Sequence, residues 1–146
     1  MHKMRPATRE VVDLAVSWIV ISLCFSARGI YADLGYFSTL FVSSLIAVGL
    51  GFLLHELMHR TVARSFTCHA EYRMWPLGLL LALVLAFASR GSLIFAAPGA
   101  VYIAPLACSP YISTEQLRRV YGLIALAGPM ANLALALAFY PLQGLN

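Results

Sequence analysis

The chain has 146 residues, 61% of them apolar and 11% charged, with 10 Lys or Arg against 6 Asp or Glu. A soluble domain carries roughly 25% charged residues, so this composition, with a mean hydropathy of +0.82, excludes an ordinary soluble domain, a disordered tail and a disulfide-stapled secreted miniprotein. The net charge of +4 gathers at the ends of apolar segments, where the bias of basic residues toward the cytoplasmic face of a membrane accounts for it without nucleic acid.

Lys3, Arg5 and Arg9 precede an apolar run, 11–27, interrupted by Asp13. A retained membrane helix over about 10–27 is expected, because Glu10 and Asp13 crowd its start; a cleaved signal peptide ending near Ser26 and Ala27 is the alternative. Cys24 in this run reads as a small buried apolar residue. The three cysteines, Cys24, Cys68 and Cys108, are too widely spaced for a zinc knuckle and say little about compartment. A link with Arg28, Gly29, Asp33 and Gly35 leads into 34–54, which holds no charge. At about 1.5 Å per residue that stretch reaches about 30 Å, the thickness of bilayer hydrocarbon. A transmembrane helix is therefore expected over 34–64, and its end carries His55, Glu56, His59, Arg60 and Arg64. Two spans separate these arginines from the N-terminal basic cluster, which places both, and the N-terminus, on the cytoplasmic side.

Residues 66–74 alternate Phe66, Cys68, Ala70, Tyr72 and Met74 with Thr67, His69, Glu71 and Arg73. Strict period two predicts a half-buried strand at the membrane edge. Residues 77–90 form a short apolar helix, re-entrant or crossing. Within 92–104 the apolar pattern is split at Ala97-Pro98-Gly99-Ala100. Pro-Gly suits the centre of a type II turn, so a membrane-associated hairpin of 92–97 with 100–104 is expected, a proline-broken helix being the alternative. After a loop over 105–113, Ser113-Thr114-Glu115-Gln116 carries a helix-start signal. The last helix, about 115–141, is long enough to span, and Gly128-Pro129 opens its final run. No repeat is visible and the expectation is one domain, 1–146. The fold expected is mainly α: a multi-span integral membrane protein with a small β element at about 66–74 and 92–104.

His55-Glu56-Leu57-Met58-His59 falls on a segment already read as helix. Two imidazoles four residues apart lie one above the other on one face and can share a Zn²⁺ at about 2.0–2.1 Å. Glu56 lies roughly 100° away around the helix. It is poorly placed as a co-ligand but well placed to take a proton from water at the ion. Counted back from Arg60, His55 lies about 7 Å up the helix, where polar residues are costly enough to indicate function. A helix end that has simply reached the interface is the plainer reading. Gly51, one turn before His55, serves either helix packing or the close approach of a substrate. Asn132, inside an apolar helix, needs a partner for its amide, either as glue between helices or at the active site.

His55-Glu-Leu-Met-His59 ending a membrane helix, with Ala127-Gly-Pro-Met-Ala-Asn132 on a later one, resembles the site-2 protease family of zinc-dependent intramembrane metalloproteases. The similarity runs from about residue 49 to residue 137. It implies that His55 and His59 bind zinc, that Glu56 is the catalytic base and that Asn132 belongs to the second helix of the core. It also implies that the 92–104 region, with Pro98 and Gly99, holds an unwound substrate by strand pairing.

The family takes a third zinc ligand from an Asp-Gly motif on a further helix, and this sequence contains no Asp-Gly. Truncation before that helix is the favoured explanation; a substitute ligand and an inactive relative are the others. His69 is the tempting substitute, although its place on a polar strand face reads as solvated. A zinc endopeptidase cutting a membrane protein or peptide substrate within the lipid bilayer is the expected function, against a non-catalytic membrane scaffold or metal-binding relative. A prenyl-protein peptidase type of site would need a downstream glutamate, for which Glu115 stands at a helix start by a loop.

Overall fold

The computed structural model describes residues 6–103, 108 and 113–141. In chain order the elements are α1 (Pro6–Ile30), α2 (Leu34–Val48), a π-helical turn (Gly49–Leu53), α3 (Leu54–Ser65), β1 (Ala70–Met74), α4 (Pro76–Ala88), β2 (Gly99–Ile103) and α5 (Thr114–Phe139). Ala7–Ile30, Leu34–Ser65 and Thr114–Phe139 are long and apolar enough to cross a membrane. With 13 residues, α4 is about 20 Å long and falls short of that. The chain divides into two compact units, Met1–Leu50 with Tyr72–Ala100 and Gly51–Glu71 with Val101–Asn146.

In the first unit, α1 packs on α2 and α4 through small residues. Cys24 and Ala27 of α1 meet Ala82 and Ala86 of α4, and a Cβ on Gly29 would stand 2.6 Å from the Phe37 Cα. The two acids that crowd the start of α1 are buried, Glu10 to 3% and Asp13 to 5% exposure. Carboxylates survive burial only when partnered, and here β1 supplies the partners. The Tyr72 N–H donates to Glu10 Oε1 at 3.1 Å, the Tyr72 hydroxyl donates to Ser17 Oγ at 2.9 Å, and Arg73 lies 3.8 Å from Asp13.

The long helix expected over 34–64 is widened by one π turn. The Trp18 indole N–H donates to the Leu45 carbonyl at 2.9 Å, which also keeps the Gly49 N–H, and Gly49 lies against the same ring. The π turn (Gly49–Leu53) begins at this contact and holds both Gly49 and Gly51, residues that cost a helix interior stability relative to alanine.

The expected hairpin is not formed. Residues 92–97 are irregular, and β2 pairs with β1 in a two-stranded sheet. The Trp75 N–H donates to the Pro98 carbonyl at 2.7 Å, joining the end of β1 to the start of β2, so the pairing is antiparallel. Gly99 has φ +157°, and a Cβ there would collide with the Arg73 carbonyl oxygen; its role is close passage over β1. Residue 104 and most of the loop expected over 105–113 lie outside the described residues.

In the second unit α3 packs on α5. The strand expected from residue 66 begins at Ala70 because α3 consumes the intervening residues in its C-terminal turn. The Cys68 N–H donates to the Ala63 carbonyl at 3.0 Å, with Thr67 at φ 59°. The alternation itself holds, with Cys68, Ala70 and Tyr72 buried.

Cys68 and Cys108 form a disulfide across 40 residues, packed in one cluster with Ala63, Ala70, Val120 and Ile124; Cys24 is free and buried. Closing a loop of that length contributes about 4 kcal/mol on the chain-entropy account. Cys68→Ser is therefore expected to lower the thermal midpoint in detergent under non-reducing conditions, and reduction is expected to lower the wild type to the same value.

The last helix starts as the sequence signals. The Ser113 side chain accepts the Gln116 N–H and the Gln116 side chain accepts the Ser113 N–H, closing a capping box. Gly128-Pro129 does not open a run, however, since Pro129 lies inside an unbroken α5. Proline there withholds one N–H from the ladder, a loss that apolar helices tolerate where neighbouring groups satisfy the backbone.

Candidate metal centre

His55, Glu56 and His59 lie within the first two turns of α3. The two histidine Nε2 atoms are 3.0 Å apart, with the rings edge-on at 82°. Two nitrogens on one tetrahedral zinc at about 2.0–2.1 Å would be about 3.3 Å apart, so a small opening of the pair accommodates the ion.

Helix α5 holds both rings from their other nitrogens. His59 Nδ1–H donates to the Ile124 carbonyl at 2.6 Å, which leaves the Nε2 lone pair for a metal. Asn132 brings its side-chain amide to 3.2 Å from His55 Nδ1. For His55 to offer Nε2 as a ligand, the amide presents its oxygen to Nδ1–H. Ile124, Gly128 and Asn132 recur every four residues and so form one stripe of α5. The order His55 to Asn132 and His59 to Ile124 makes the α3–α5 crossing antiparallel. Gly128, midway, is buried, and a Cβ there would stand 2.6 Å from His55 Nε2 and closer still to His59 Nε2.

Glu56 is half-buried and makes no hydrogen bond or ion pair with any described residue. A carboxylate without protein partners has its oxygens available for water. At Gly51, a Cβ would meet no atom of another described segment within 4 Å.

The donor set fits a metal as far as it goes: two converging imidazoles, each oriented through its second nitrogen. No group of three His, Cys, Asp or Glu able to hold an ion occurs among the described residues. His69 is exposed and lies 3.1 Å from Glu71. Asp33 caps α2 by accepting the Tyr36 N–H, and Asp13 sits with Arg73. Glu115 pairs with Arg119 at 2.9 Å, and along α5 it is about 20 Å from Gly128, which removes it as a ligand for the histidines.

Asn132 and the histidines are legible in the sequence; Gly128 and the Ile124 carbonyl are not identified there as site groups. The available signal is the four-residue spacing of Ile124, Gly128 and Asn132, which places a residue without a side chain on the stripe that carries the asparagine. Asn132→Leu removes the group on His55 Nδ1, and loss of such a supporting contact costs about 10–100-fold in metal affinity. Competition with a chromogenic chelator measures it.

The chain is 44% identical over 144 residues to a protein of Methanocaldococcus jannaschii named "putative zinc metalloprotease". The match covers 98% of this chain and 66% of that relative. No family model matches the chain, and no solved structure does.

Proposed function

We propose that the protein is the zinc-binding core of a membrane metalloprotease that cleaves membrane-spanning substrates. The observation that carries this reading is the pair of Nε2 atoms 3.0 Å apart on α3, with the Glu56 carboxylate one residue on from His55 and without a partner among the described residues. The relative's name supports it, as does the resemblance to site-2 proteases.

His55 and His59 would hold the ion, with the Ile124 carbonyl and Asn132 keeping their rings in place. Zinc, when bound, would supply the Lewis acidity that lowers the pKa of water to about 7. Glu56 takes the proton of the attacking water on a carboxylate oxygen and returns it to the departing amide nitrogen. An extended substrate segment is accepted on β2, whose outer edge has no partner strand among the described residues. The outer edge of β1 is not equivalent, because Glu10 already takes the Tyr72 N–H. Strand addition of this kind exposes a peptide bond that a helix would shield. The spans are α1, the Leu34–Ser65 helix and α5, with the N-terminus and the histidines on the cytoplasmic side.

The test is cleavage of a single-span substrate in liposomes. Cleavage is expected to stop on chelation and to return with zinc; cleavage indifferent to chelation would sink the reading. The absence of a third ligand among the described residues favours a second reading, a membrane scaffold that keeps the metal pair without turnover. It predicts zinc binding with no chelator-sensitive cleavage.

A further inference from the structure

We infer that Gly128 is a positioning residue for the two imidazoles: the α5 backbone closes one side of the Nε2 pair, and only a residue without a Cβ lets both rings keep their places. The inference rests on the reading of His55 and His59 as a metal pair, but its steric part stands on geometry alone. A Cβ at position 128 would be 2.6 Å from His55 Nε2, 2.7 Å from His55 Cδ2 and closer still to His59 Nε2. Real Cβ atoms essentially never stand that close. Neither ring can yield freely, because each is tied back to α5, His59 through Ile124 and His55 through Asn132.

Helix geometry does not require glycine here. Position 128 lies inside α5, where glycine is disfavoured relative to alanine. At Gly122 on the same helix a Cβ would meet no atom of another described segment within 4 Å, so no described neighbour there requires glycine. The competing explanation is local: the residue before a proline is crowded in helical conformation, and Gly128 precedes Pro129. With the α5 backbone against one side of the nitrogens, an ion and its water reach them from the side that α5 leaves open.

The experiment compares zinc affinity and thermal stability of the whole chain in detergent. Gly128→Ala is expected to weaken zinc binding at least 10-fold and to lower the metal-free thermal midpoint, while Gly122→Ala binds zinc like the wild type. Adding Gly128→Ala to the His55→Ala/His59→Ala double variant removes the collision, so the triple variant is expected to melt at or above the double. A triple variant less stable than the double would assign the glycine to Pro129 and overturn the inference, as would Gly128→Ala with wild-type zinc affinity. Should the wild type bind no zinc, the metal reading falls, while the two stability comparisons still decide the role of Gly128.

Discussion

Replacing either His55 or His59 by alanine is expected to strip the protein of zinc, with affinity falling more than 100-fold and no metal surviving dialysis. Loss of a supporting contact to a ligand already costs about 10–100-fold, and loss of the ligand itself exceeds that. The two variants should fail alike, because each removes one member of a pair whose nitrogens converge at 3.0 Å. Folding should persist in both, since α3 also packs on α5 through the cluster around Ala63, Val120 and Ile124. His69→Ala, which alters an exposed ring beside Glu71, should retain wild-type zinc and serves as the control. Metal analysis after gel filtration reads all three.

Glu56→Gln is expected to separate binding from chemistry. The substitution keeps size and polarity but removes the proposed base, so the proposed hydrolysis should fall about 10²–10⁴-fold in kcat, the contribution typical of general acid–base catalysis. That corresponds to about 3–5 kcal/mol in the barrier. Zinc content should not change, because Glu56 points around the helix from the imidazole pair. KM should also stay close to that of the wild type, since in the proposed mechanism the carboxylate acts on water rather than on the bound peptide. Equal cleavage by the variant and the wild type would show that another group is the base.

The helices are legible because apolar length is a strong signal: the expected spans over 10–27, 34–64 and 115–141 correspond to α1, the Leu34–Ser65 helix and α5. The π turn over Gly49–Leu53 is not, because a one-residue widening leaves the apolar length and periodicity that signal the helix almost unchanged. Strand pairing is misread for a different reason. Pro98-Gly99 has good local turn chemistry, but the Pro98 carbonyl goes to Trp75, and a non-local partner overrides the local preference. Glu10 and Asp13 read only as charges crowding the start of a helix, because no sequence pattern tells that β1 buries them beside the Tyr72 N–H and Arg73. In the site, His55, Glu56 and His59 are read directly from helical spacing. Asn132 reads as a polar residue in need of a partner, and the structure supplies that partner as His55 Nδ1.

The cysteines illustrate the same boundary between local and non-local information. Their spacing specifies no bridge, yet Cys68 and Cys108 are brought together in the cluster that also contains Ile124, the residue whose carbonyl steadies His59.

The central claim is that His55 and His59 bind one zinc ion side by side, and zinc-edge X-ray absorption on the purified wild-type protein tests it most directly. Two imidazole nitrogens are expected at about 2.0–2.1 Å, with no bound-zinc edge left in His55→Ala or His59→Ala. A zinc spectrum without imidazole scattering, or one unchanged in both variants, would contradict it.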